Sequence, residues 1–192
     1  MIGLAAALCF SAACNAQTPA APAAPAAKAE AVDPSALVGP VTREQVEAAV
    51  PDWVKVETES QPSREAVQAL AAVEPGAEVT VFLGTWCGDS QRELSRLWRA
   101  LDEIDEAGRP APFTLRYIGV DHLKQQPADS IAASDIHYLP TFVVSRGGRE
   151  VGRIVEESPH GVELDLLALL TGKAQGVVSA SHPAEGAQPS SH

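Results

Sequence analysis

The chain has 192 residues, with 14 Lys and Arg against 25 Asp and Glu, for a formal net charge of −11. That balance excludes a nucleic-acid role, which needs clustered cations for the phosphates, and the length allows one domain plus extensions. Of the three cysteines, Cys9 and Cys14 lie near the N-terminus, and Cys87 alone falls in the part that reads as globular.

Residues 2–13 are apolar, too short to span a bilayer as a helix but long enough for a signal-peptide core. Ser11-Ala12-Ala13-Cys14 resembles a bacterial lipobox, in which small residues precede a cysteine that is lipidated and becomes the mature N-terminus. Ser11 stands where a leucine-like residue is usual, and no Lys or Arg precedes Lys28. The expectation is a signal peptide over 1–14 with lipid attachment at Cys14; cleavage near Ala16, giving a soluble secreted protein, is the alternative. Asn15 in place of an aspartate leans toward an outer envelope location. In residues 15–39, ten of 25 are Ala and four are Pro. Periodic proline blocks a continuous helix, so this stretch is predicted to be an extended, disordered tether.

The domain is predicted over 40–172. Thr42-Arg43-Glu44-Gln45 has the capping-box pattern and predicts a short helix through Val46 and Val50. Trp53-Val54-Lys55-Val56-Glu57 alternates apolar and polar and predicts a half-buried strand. Ser63 caps a helix with an apolar stripe of Val67, Leu70 and Val73, stopped by Pro75-Gly76. Residues 79–83 are apolar on both faces, as a central strand covered by helices should be. The helix after Cys87 carries Leu94, Leu97, Trp98, Leu101 and Ile104 and ends at Gly108. A strand over 113–120, a short helix over 128–134, an antiparallel hairpin of 141–144 and 150–155, and a helix over 162–170 complete the order. Residues 173–192, rich in Ser, Gly, Pro and Ala with His182 and His192, are predicted to be disordered. The pattern is α/β, a mixed central sheet with helices on both faces.

Cys87 lies in Thr85-Trp86-Cys87-Gly88-Asp89-Ser90, where the 79–83 strand gives way to a helix. The first N–H groups of a helix are unpaired and its dipole is positive there. Both favour a thiolate, the nucleophilic form. The run Val79-Thr80-Val81-Phe82-Leu83-Gly84-Thr85-Trp86-Cys87-Gly88 resembles the strand, turn and active-site entry of thioredoxin-like proteins. Tyr138-Leu139-Pro140-Thr141-Phe142-Val143-Val144, with Pro140 placed 53 residues after Cys87, is similar to the family's cis-proline loop and the strand after it. Gly147-Gly148 then resembles the hairpin turn. The resemblance covers residues 75–171 and implies a thioredoxin-like fold. It further implies a cis Pro140, backbone groups of Leu139 that face the sulfur and pair with an extended substrate, and substrate contacts from Trp86, Gly88 and Asp89.

The family usually carries Cys-x-x-Cys, and here the second position is Ser90. A hydroxyl cannot expel a substrate from a mixed disulfide by thiol exchange. Ser90 is expected instead to donate a hydrogen bond to the sulfur. The position matching the family's buried acidic residue is Val81, a second departure in the same direction. Asp89 stabilises the helix start but opposes an anionic sulfur. His137 is either a base near the sulfur or an ordinary loop residue. The expectation is a single-thiol oxidoreductase with Cys87 as nucleophile. Its substrates would be disulfide- or thiol-containing proteins, in mixed-disulfide reduction or isomerisation, with an external thiol or reductase completing the cycle. It would lie in the bacterial envelope, touching the membrane through the lipid anchor only, with no cofactor, no metal and no nucleic acid. The alternative is a non-catalytic module that binds peptides or a partner.

Overall fold

The computed structural model describes residues 36–182. The expected signal peptide, Cys9 and Cys14, most of the tether and residues 183–192 lie outside the described residues. Strand β1 (Gly39–Val41) opens the domain at the end of the predicted tether. The capping box is present: the Thr42 side chain accepts the Gln45 N–H while Gln45 Oε1 accepts the Thr42 N–H, starting α1 (Arg43–Ala49).

The strand predicted at 53–57 is a helix, α2 (Asp52–Glu59). Helical spacing puts Trp53 and Glu57, four residues apart, on one inward face. There Trp53 packs against Trp98 with ring centres 6.0 Å apart, and Arg43 meets Glu57 at 2.5 Å. These distant partners decide a segment whose five-residue alternation was a short signal. Helix α3 (Arg64–Leu70) follows, with the Ser63 side chain accepting the Ala66 N–H as predicted.

The remaining elements follow the predicted order: β2 (Ala77–Leu83), α4 (Gly88–Glu106), β3 (Phe113–Gly119), α5 (Ala128–Ser134), β4 (Thr141–Arg146), β5 (Arg149–Val155) and α6 (Val162–Leu170), with a final strand β6 (Gly176–Val178). They form one sheet in the order β1-β3-β2-β4-β5-β6. β2 and β3 are parallel and joined by α4; β4 runs antiparallel to β2 and turns back into β5. This is the thioredoxin-like arrangement, a βαβ unit followed by a helix, an antiparallel hairpin and a closing helix.

The two sheet faces differ. Val79, Val81, Leu83, Phe142, Val144 and Ile154 join side chains of α1, α2, α3, α4 and α6 in the main core. Phe82, Val120, Ile136, Leu139 and Val143 form a smaller core on the other face, packed by Trp86, Cys87 and Ile131 of α5. Glu163 of α6 is fully buried and ties three helices: it accepts both Arg96 bonds of α4 (2.6 and 2.7 Å) and the Ser63 N–H ahead of α3 at 2.9 Å. Desolvation works against that charge, but the Arg96 bonds and backbone N–H groups win and hold the carboxyl below its ordinary range.

The predicted disordered tail needs correction at its start. β6 pairs in parallel with β5, and Ala180 donates to Glu157 O at 2.8 Å. Gly152 permits the approach, since a Cβ there would sit 2.7 Å from Gly176 O. Backbone bonds at a sheet edge, with Val178 alone of the strand packed against the main core, hold it, so a composition poor in large apolar residues concealed it.

The Arg43 guanidinium stands among Glu47, Glu57 and Asp102 and over the Trp98 ring, 5.3 Å from its centre. Glu57 Oε2 is buried with no hydrogen-bond partner among the described residues. Burial, reinforced by the neighbouring Asp102 carboxylate, pushes the Glu57 carboxyl up to about 7. A carboxyl that titrates higher in the folded chain than in the unfolded one contributes stability at low pH. That contribution fades as pH rises from the ordinary glutamate value through about 7. In thermal melts from about pH 5 to about pH 7.5, Glu57→Gln should lose less midpoint than the wild type. Parallel profiles would show that this carboxyl titrates normally.

Candidate functional site

The C-terminal end of β2 runs through Gly84, Thr85 and Trp86 into Cys87, the N-cap residue of α4. The Cys87 N–H donates to Gly84 O at 2.9 Å, closing a tight turn, and Cys87 O accepts the Gln91 N–H at 3.0 Å as the first helical bond. The thiol makes no capping bond to its own helix. It is partly exposed and points across to the proline turn, where Sγ donates to Leu139 O at 3.5 Å. The Leu139–Pro140 peptide is cis, as the resemblance implied. Register explains the meeting: Phe82 of β2 pairs with Thr141, the first residue of β4, so Pro140 just ahead of β4 lies where β2 ends.

Trp86 is positioned from three sides. Its Nε1 donates to Val120 O at 3.0 Å, and its ring stacks on His122 at 4.5 Å and 18°. Its indole also lies over Gly84, where a Cβ would come within 2.8 Å of Cε2. Thr85 is buried, and its hydroxyl accepts the Leu37 N–H at 3.3 Å, so the N-terminal arm is fastened under the same turn.

Ser90 is fully buried, and its Oγ accepts the Gly84 N–H at 3.2 Å. That bond ties the first turn of α4 back to the end of β2. Gly88 is exposed, and Asp89 pairs with Arg92 at 2.7 Å on the outer face of the helix. Arg92 therefore offsets the negative charge nearest the cysteine. His137 bonds Asp135 at 2.8 Å with both side chains well exposed, so its geometry serves its own loop. Val81, at 0% exposure, is part of the main core.

Sequence reasoning brought together Trp86, Cys87, Ser90, Leu139 and Pro140 but passed over the 121–127 loop. Asp121 Oδ1 accepts the N–H groups of Gln125 and Gln126 at 2.6 and 2.8 Å, shaping that loop. The loop then brings His122 against Trp86 and Lys124 over the Tyr138 ring at 5.8 Å. The available signal was position: residues just beyond a parallel strand's carboxyl end share an edge with the end of its neighbour. Larger clefts of about 490 and 590 Å3 lie between α3 and α4 and along β1 and β3. Neither includes the cysteine, so chemistry rather than volume locates this site.

No family model matches the chain. A curated thioredoxin-like protein of Acanthamoeba polyphaga mimivirus is 26% identical over 99 residues, 52% of this chain and 66% of that protein. Among solved structures, a Pseudomonas aeruginosa protein of unknown function aligns with TM-score 0.47 and 19% identity over 69% of this chain and 88% of its own. An HIV epitope scaffold aligns with TM-score 0.49 and 16% identity over the same shares, 69% and 88%. A Fasciola hepatica thioredoxin aligns with TM-score 0.36 and 22% identity over 53% of this chain and 84% of its own. The sequence match is thus to a thioredoxin-like protein over about half of this chain, and the order and directions of its strands agree with that fold.

Because Trp86 fills the space above Gly84, Gly84→Ala must displace the indole, at a cost of about 1–3 kcal/mol. The Trp86 indole N–H resonance should shift as its bond to Val120 O is lost. An unmoved resonance would mean that Gly84 does not set the place of Trp86.

Proposed function

We propose that the protein is a single-thiol thiol–disulfide oxidoreductase, exported and held in a bacterial envelope through a lipid on Cys14. The observation that carries the chemistry is the partly exposed Cys87 thiol at the N-cap of α4, 3.5 Å from the carbonyl of a cis Leu139–Pro140 peptide. The location rests on the lipobox pattern alone.

In this reading a disulfide-bearing chain lies extended along the proline turn and pairs with the Leu139 backbone by strand addition. The Cys87 thiolate attacks one sulfur in line. The substrate disulfide breaks, a disulfide between Cys87 and the substrate forms, and the departing thiolate carries away the electron pair and takes a proton from water. Trp86 shields one side of the sulfur. Ser90 keeps the turn in shape through Gly84 but offers no sulfur to reverse the adduct. A second thiol must do so: the substrate's own, which gives isomerisation, or an external one, which gives reduction.

Incubation with a disulfide-containing protein such as insulin, without added thiol, should accumulate adducts that a reductant releases on gels. Cys87→Ser should form none. Ser90→Cys should release them and gain dithiol activity. Rapid wild-type turnover without any added thiol would contradict the proposal, and a Cys87 that forms no adducts would favour a purely binding role.

A further inference from the structure

On the far side of the cis Leu139–Pro140 peptide lies a cavity of about 280 Å3. Tyr138 and Thr141, the residues flanking that peptide, form one wall; Val155 lies at the end of β5, and Val177 and His182 come from the C-terminal segment. The segment is fastened in place. β6 pairs with β5, His182 Nε2 bonds Glu156 at 2.7 Å, and the His182 ring lies 3.9 Å from that of Tyr138.

The ionic groups at the rim are already engaged. Arg153 gives Nε and one terminal nitrogen to Glu150 and the other to the carbonyls of Ser134 and Asp135. His137 is bonded to Asp135 and His182 to Glu156. Within the lining little is left to reward a charged occupant, Lys124 standing over the Tyr138 ring and outside that lining. Tyr138 and Val177, by contrast, are 41% and 44% exposed and present apolar surface beside the His182 ring. The volume falls below the roughly 300–1,000 Å3 of small-molecule sites but has room for a side chain. An extended peptide sends alternate side chains to opposite sides. A residue beside its cysteine would therefore leave the proline turn on the side away from Cys87.

We propose that this cavity, closed by β6 and His182, is a specificity subsite. It takes one apolar side chain, adjacent in sequence to the reacting cysteine of a peptide disulfide bound at Cys87. The inference rests on the nucleophilic reading of Cys87. The chemical step is unchanged: the Cys87 thiolate joins the peptide sulfur, the peptide's disulfide breaks, and the leaving thiol takes the electron pair. The subsite acts by holding the peptide while that exchange occurs.

The test uses the full chain and two synthetic peptides, each joined by a disulfide to a chromogenic aromatic thiol and differing only in Leu or Asp beside the cysteine. Wild type should release the chromogenic thiol from the Leu peptide about tenfold faster at low peptide concentration. Val177→Asp and His182→Ala, both at the edge of the fold, should each bring that ratio toward one. Equal rates for the two peptides in wild type, or an undiminished ratio in both variants, would overturn the subsite. Silence toward both peptides and toward oxidised glutathione would overturn it differently, by removing the nucleophilic reading beneath it.

Discussion

The antiparallel pairing of β2 with β4 is the constraint on which the site depends. Thr80 faces Val143, Val81 faces Phe142 and Phe82 faces Thr141, so the strand that follows the cis proline starts where the strand leading to the cysteine stops. A slip of one residue would move the turn by about 3.4 Å and reverse every side chain on β4. Phe142 and Val144, fully buried in the main core, would then face away from it. Each such side chain is worth about 1.5–3 kcal/mol when buried, more than a thiol–carbonyl hydrogen bond supplies. Core packing, not the site's own bonds, therefore sets the approach of Cys87 to Leu139.

Around that fixed pair, neighbouring segments supply shape. The turn from Gly84 to Cys87 is held by its own backbone bond, by Ser90 beneath it, and by the Leu37 arm on Thr85. Trp86 leans on the end of β3 and on His122. The C-terminal segment reaches the other flank of the proline turn through His182 and Tyr138. Ser90 thus supplies a buried polar atom that organises the turn through Gly84.

Much of this was legible in the sequence because its signals are local. The Thr42 capping box, the Ser63 cap, the stripe of α4 ending at Gly108 and the Gly147-Gly148 hairpin each lie within a few residues and persist in the fold. The cis Pro140 was legible through resemblance. What escaped notice depends on distant partners. Trp53 to Glu57 fits two periodicities over five residues, and Trp98 and Arg43 settle it as helix. β6 is held by backbone bonds and the Gly152–Gly176 approach, which leave no mark in hydropathy. The contact of His122 with Trp86 depends on where a loop returns, beyond the reach of a linear pattern.

The most direct measurement is a crystal structure of the protein trapped through Cys87 in a disulfide with a cysteine-containing peptide. The account predicts a peptide lying extended beside the cis turn, its backbone bonded to Leu139. A peptide held by the disulfide alone, with Leu139 uncontacted, would contradict it.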